Sequence, residues 1–278
     1  MHDPTLVVDS GDLWRATFTP DGPATLHIAD VFGPEPHVVV HGPGAGWLES
    51  RALDLIGASD EIPRIEAHHE PVRESQKRFG SLALGASHTV YHELLPAVLG
   101  QRITGLEAHR QWRALLRTHG TPAPGPRSDL LCPPDPALLA GIPYHALHSL
   151  GIERKRADAL RHVAMRFDYL TRLSAQVLSP HEKTEALTVI PGVGVWTAAV
   201  AGGLAFGDPD ALLVGDFHVK NTVAYALTGA IRGTDDEMLA TLQPYAGQRH
   251  RVVRWLQLTG WRAPARGPRR RIVSFAHF

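Results

Sequence analysis

The sequence predicts a mainly α-helical protein: two helical subdomains with a helix-hairpin-helix motif, preceded by a small N-terminal α+β domain. Three observations predict it. Alternating apolar residues and turn signals dominate residues 1–78, helix-start signals dominate the rest, and Ile190-Pro191-Gly192-Val193-Gly194 interrupts two helical segments. The α+β domain is therefore assigned to 1–78 and the helical domain to 79–278. Within the latter, a middle subdomain covers 104–215, and 79–103 plus 216–278 form the second.

The elements follow in order. Leu13 to Thr19 alternates into a turn at Pro20-Asp21-Gly22, Ala24 to Ile28 supplies the hairpin partner, and Val38-Val39-Val40 ends at Gly42-Pro43-Gly44. Thr104-Gly105-Leu106-Glu107 is a capping-box pattern, and Ala108, Trp112, Leu115 and Leu116 lie on one face of the helix it starts, over 104–118. Pro122 to Pro126 is a loop. Asp135-Pro136 reads as N-cap and N1 of a short helix, and Leu160, Val163, Ala164 and Phe167 give a longer amphipathic one. Ser179-Pro180-His181-Glu182 combines two start signals, and Thr234 to Glu237 repeats the capping box.

Composition sets the outer limits. Of the 278 residues 44% are hydrophobic, which excludes a disordered chain. No run of ~18 apolar residues suggests a membrane span. Met1-His2-Asp3-Pro4 carries no signal-peptide pattern, so a cytoplasmic, nucleoid-associated protein is expected. The single Cys132 excludes a four-cysteine zinc site and an iron–sulfur cluster. The zero net charge hides an asymmetry: residues 1–78 hold 13 acids against 6 bases, whereas 79–278 hold 15 acids against 22 bases. No acid follows Glu237, while eight arginines do, from Arg249 to Arg271. A polyanion partner fits the basic part. The excess of arginine over lysine suits phosphate recognition and equally a GC-rich genome.

The most informative segment runs from Leu187 to Ala199. A helix from Ser179 stops at Pro191, Gly192 and Gly194 permit a tight turn, and a second apolar helix begins near Val195. Backbone amides at such a hairpin form an anion site that grips a nucleic-acid phosphate without reading sequence. An ordinary helical connection with Pro-Gly punctuation is the alternative. After a turn at Gly207-Asp208-Pro209-Asp210 and an apolar run come Gly215-Asp216-Phe217-His218-Val219-Lys220.

Ile190-Pro191-Gly192-Val193-Gly194 with a lone aspartate some twenty residues on resembles the helix-hairpin-helix DNA glycosylase superfamily, and within it the DNA-3-methyladenine glycosylase II branch. The resemblance covers 85–260, with weaker matches at Leu99 to Thr104, Gly151 to Ala157 and Pro244 to Arg249. It implies a monofunctional glycosylase of base excision repair that hydrolyses the N-glycosidic bond of damaged, foremost alkylated, purines in duplex DNA. Oxidised or deaminated bases, or non-catalytic damage binding, are the alternatives. Asp216 is then the catalytic carboxylate, stabilising an oxocarbenium-like transition state or activating water; its other reading is an N-cap. For His218 a packed or solvated ring is favoured over an acid/base role.

Sister families place a Schiff-base lysine where Trp196 stands, and a catalytic glutamate where Ala97 stands, so neither a lyase nor an adenine-mismatch enzyme is expected. The resemblance implies a substrate pocket of Trp196, Val200 and Trp255, with the indole of Trp196 stacking on an electron-deficient base. It implies DNA contacts from Gln101, Arg102, Pro191, Gly192, Val193, Gly194, Val195, Trp196, Thr197, Lys220 and Arg249. Arg102 is the candidate plug for the hole left by the flipped base, a solvated arginine being the alternative; Lys220 contacts phosphate or pairs with a carboxylate. No cofactor is expected beyond a structural cation on the carbonyls of Thr188, Ile190 and Val193. The partner is double-stranded DNA containing damaged bases, the chain acting as a monomer without a membrane.

No Walker A loop, His-Glu-x-x-His or Gly-x-Ser-x-Gly elbow is present. Glu66-Ala67-His68-His69-Glu70 is read as a polar turn rather than a metal site.

Overall fold

The computed structural model describes residues 3–264. Strands β1 (Leu6–Asp9), β2 (Asp12–Thr19), β3 (Gly22–Ala29) and β4 (His37–His41) form an antiparallel meander in that order. Thr19 pairs with Gly22, so Pro20 and Asp21 make the two-residue turn of the expected hairpin. Helix α1 (Ala45–Glu49) covers one face through Leu48, which packs with Ala24, Leu26 and Ile28. A 3₁₀ turn over Ala52–Ile56 and an irregular stretch then lead to α2 (Glu70–Phe79).

The helical body follows: α3 (Val90–Leu99), α4 (Gly105–His119), a two-residue ladder of β5 (Thr121–Pro122) and β6 (Leu131–Cys132), α5 (Pro136–Gly141), α6 (Tyr144–His148), α7 (Arg154–Met165), α8 (Phe167–Ala175), α9 (Pro180–Ala186), α10 (Val195–Ala205), α11 (Phe217–Thr228), α12 (Asp235–Leu242) and α13 (Arg249–Leu258). The helices start where expected. Ser179 and Thr234 close reciprocal capping boxes and Asp135 accepts the amides of Ala137 and Leu138, whereas at Thr104 only half of the expected box forms: the threonine accepts the Glu107 amide, and Glu107 Oε1 accepts from Gln111 Nε2 at 3.3 Å.

Two helical cores separate the body. The larger joins α3 with α4 to α8 and α10, and the central α3 buries nearly every residue because its neighbours surround it. The smaller joins Val72 of α2 with α11, α12 and α13. The packing thus divides the chain differently from the sequence boundaries. Helix α2, assigned to the N-terminal domain, lies in the C-terminal core because its buried Val72 and Ser75 face α13. Helix α3, grouped with 216–278, lies in the middle core instead.

The sheet docks on α3 through a buried polar cluster. Arg15 pairs with Glu93, Ser87 donates to Glu93 at 2.7 Å, and Thr17 lies 2.9 Å from the ring of the buried His92. Burial, then the charge of Arg15, holds His92 well below the usual histidine range and therefore neutral. Cys132 is buried under the sheet, and burial pushes its thiol up to about 12, which leaves it unreactive.

Candidate nucleic-acid interface and active site

The hairpin forms where expected. Helix α9 runs into a 3₁₀ turn over Leu187–Val189, the chain turns through 190–194, and α10 starts at Val195. Gly192 is indispensable to it. Its φ is +89°, and a Cβ there would stand 2.6 Å from the Cβ of Ala159 on α7. Gly192→Ala is accordingly expected to cost about 1–3 kcal/mol, read as a lowered melting temperature together with weaker retention on duplex DNA. Gly194 has a different role: its φ is −91°, and a Cβ there would meet nothing within 4 Å. As the N-cap it offers no side-chain acceptor, so the first amides of α10 carry no side-chain cap.

Gln101 holds this turn in place. Its Nε2 donates to the carbonyl of Gly192 and to Oγ1 of the buried Thr197, both at 2.9 Å, and so ties the end of α3 to both sides of the hairpin. The buried Arg156 supports that helix end, donating to Leu99 O at 3.0 Å and to Gln111 Oε1 at 2.6 Å. Arg102 comes next. It is exposed and has a φ of +60°, a left-handed conformation that costs a non-glycine residue energy. Pro191 and Val195 are exposed on the hairpin and Val193 is buried under it.

Asp216 stands at the N-terminus of α11 and does two things at once. Its Oδ1 accepts the amides of His218 at 2.7 Å and Val219 at 2.9 Å as an N-cap, and its Oδ2 accepts the indole N–H of Trp196 at 3.1 Å. One oxygen thus fixes the carboxylate to its helix, and the other is oriented by the first turn of α10. The indole is half-buried against Gly100, where a Cβ would lie 3.3 Å from Trp196 Cη2. Val200 follows on the same side of α10, also half-buried.

Asp235, which carries no signal in the sequence beyond its helix-start context, positions the loop before Asp216. Its carboxylate accepts the Gly215 amide at 2.9 Å and Lys220 Nζ at 3.0 Å. The Gly215 amide first, and Lys220 after it, hold its carboxyl below the ordinary range. Of the two readings of Lys220, pairing with a carboxylate is the one realised.

Two expected site residues lie elsewhere. Arg249 is committed to Asp210, which accepts its backbone amide at 2.9 Å and its Nε at 2.8 Å and pairs with its Nη2, so it braces the start of α13 rather than reaching phosphate. Trp255 is buried in the smaller core, because the α13 face bearing Trp255 and Val252 turns toward α11 and α2. The opposite face of α13 was missed: His250, Val253, Arg254 and Gln257 line a cavity beside α11. Among the described residues no group of three or more His, Cys, Asp or Glu side chains is arranged to hold a metal. Arg266 and Arg269 to Arg271 lie outside the described residues.

The fold is that of the helix-hairpin-helix DNA glycosylases. It is similar to the 3-methyladenine DNA glycosylase from Archaeoglobus fulgidus, with a TM-score of 0.71 at 17% identity over 92% of this chain and 90% of that one. An 8-oxoguanine glycosylase/lyase from Clostridium acetobutylicum gives 0.65 at 11% identity over 91% and 88%. The Schizosaccharomyces pombe 3-methyladenine DNA glycosylase, solved with abasic DNA, gives 0.55 at 19% over 76% and 96%. No family model and no curated protein matches the sequence.

Proposed function

We propose that this protein is a monofunctional DNA glycosylase that removes damaged purines, alkylated ones foremost, from duplex DNA. The observation that carries the reading is the hydrogen bond from Trp196 to Asp216, which couples the phosphate-gripping hairpin to a carboxylate anchored on a second helix. Phosphate bound at the amides of α10 and the hydrolysed bond beside Asp216 are thereby held in one frame. Cleavage of the N-glycosidic bond sends its electron pair to the departing base and leaves positive charge on the deoxyribose. The Asp216 carboxylate stabilises that charge and accepts a proton from the water as its oxygen bonds to C1′, the proton then passing to solvent. A base already made cationic by alkylation leaves as a neutral molecule. The indole offers such a base an electron-rich face.

Trp196 at the position of the lyase lysine supports hydrolysis without a Schiff base. Damaged duplex DNA is expected to yield free base and an intact strand bearing an abasic site, with no covalent adduct on borohydride treatment. Strand scission without added alkali, or a trapped adduct, would refute the monofunctional assignment. Binding that depends on Gly192 with no base released from any lesion would instead favour a damage-binding protein. Arg102 is the proposed plug, and a monomer the proposed working form. The carbonyls of Thr188, Ile190 and Val193 are the proposed seat of a structural cation; that of Ile190 also accepts the Val193 amide at 2.9 Å, so it would offer its second lone pair.

A further inference from the structure

Lys220 lies four residues beyond Asp216 on α11. Residues at that spacing are neighbours on one helical face, and an acid N-terminal to a base is the favourable order. On the helix alone, Lys220 would therefore pair with Asp216. Instead its Nζ stands 3.0 Å from Asp235 Oδ2. The partners of Asp216 among the described residues are neutral donors: the amides of His218 and Val219 on Oδ1 and the Trp196 indole on Oδ2. They orient the carboxylate and leave its charge whole.

Asp235 can hold the lysine because a second helix fixes it. It is the first residue of α12, whose start is closed by the reciprocal bonds of Thr234 and Glu237, and a helix N-terminus favours negative charge there. Its other oxygen accepts the Gly215 amide at 2.9 Å, which ties α12 to the residue before Asp216. The side chains of Lys220 and Asp235 are 24% and 29% exposed, so water and salt screen the pair less than they would a fully exposed one. Arg232, in the loop between α11 and α12, is engaged elsewhere. It donates to the carbonyls of Ile231 and Pro264, and its guanidinium lies 6.0 Å from the centre of the Phe217 ring.

We propose that Asp235 is a positioning residue of the reaction: it draws Lys220 off Asp216 and cancels its charge, so that the carboxylate meets the developing cation uncompensated. A lysine paired with Asp216 would neutralise the group that stabilises the sugar and would itself repel the sugar's positive charge. This role rests on the glycosylase reading above and adds to it a residue that acts through another side chain.

The test is single-turnover base release from methylated duplex DNA, at saturating enzyme, by wild type, Asp235→Asn and the double variant Asp235→Asn/Lys220→Met. Asparagine keeps an oxygen for the Gly215 amide and leaves the capping box of Thr234 and Glu237 in place, so the fold is retained while Lys220 loses its counter-charge. Release by Asp235→Asn is expected to fall roughly tenfold, the scale of one charge contact near a protein surface. Removing the ammonium as well should bring the rate back to within about threefold of wild type, because both substitutions act on one interaction. Both variants share the asparagine, so any loss of folded protein that it causes cancels in their ratio. A merely structural role for Asp235 gives the opposite result, a double variant as slow as the single one or slower, and that would overturn the proposal. Release at the wild-type rate by Asp235→Asn would overturn it too. Either result leaves the glycosylase reading intact, whereas absence of any released base from wild type would overturn both.

Discussion

Asp216→Asn is expected to lower single-turnover base release from methylated duplex DNA by at least about a hundredfold, the scale on which removal of one preorganised electrostatic group slows an enzyme. The substitution separates the two roles of this side chain. Asparagine is as good an N-cap as aspartate, so its carbonyl oxygen keeps accepting the amides of His218 and Val219 and α11 keeps its start. What disappears is the negative charge that the proposed mechanism uses, together with the acceptor for the Trp196 indole N–H, since an amide nitrogen in place of Oδ2 is a donor. Melting temperature and affinity for undamaged duplex should therefore remain close to wild type while excision collapses. Release at the wild-type rate would remove Asp216 from the mechanism.

Asp60→Ala is expected to produce the largest loss of stability, about 3–5 kcal/mol, the cost of leaving a buried charge without its partner. Asp60 lies on the irregular stretch before α2, and its two oxygens accept Arg251 Nη1 at 2.7 Å and Nη2 at 2.9 Å. Arg251 is fully buried on α13. Burial alone would raise the Asp60 carboxyl; the hydrogen bonds from Arg251 and the Leu84 amide outweigh it and hold it below the ordinary range. That stabilisation is present above the unfolded pKa and is lost as pH falls through the depressed folded one. The wild-type protein should thus lose stability on acidification below about pH 4, and Asp60→Ala should lose less over that interval. Denaturant midpoints for the two proteins across that pH range decide the matter; equal midpoints at neutral pH would remove the ion pair from the account.

The contrast between these two aspartates explains what was readable. Asp216 follows an apolar run and sits a short distance from a hairpin whose conformation is set by its own residues, so both features are local and legible. The helix starts at Ser179 and Thr234 are equally legible because a cap is satisfied within four residues. The partnership of Asp60 with Arg251 spans 191 residues and leaves no periodic trace.

Arg249 and Trp255 show a second kind of failure. Both lie on α13 near the positions the family resemblance implies. Which of them faces the cleft depends on the rotation of that helix, about 100° per residue. The observed rotation turns Trp255 into the core, gives Arg249 to Asp210, and presents His250, Arg254 and Gln257 to the cavity.

Sequence alone determined the elements whose energetics close within a few residues: the β2–β3 turn, the caps, the positive-φ glycine of the hairpin and the aspartate at the head of α11. Tertiary structure alone decided how the helices divide between two cores, which cations are already neutralised, and that Trp196 donates to Asp216. Those outcomes depend on distances between segments remote in the chain, where an arginine with a buried acid beside it and one facing a cavity have the same letter.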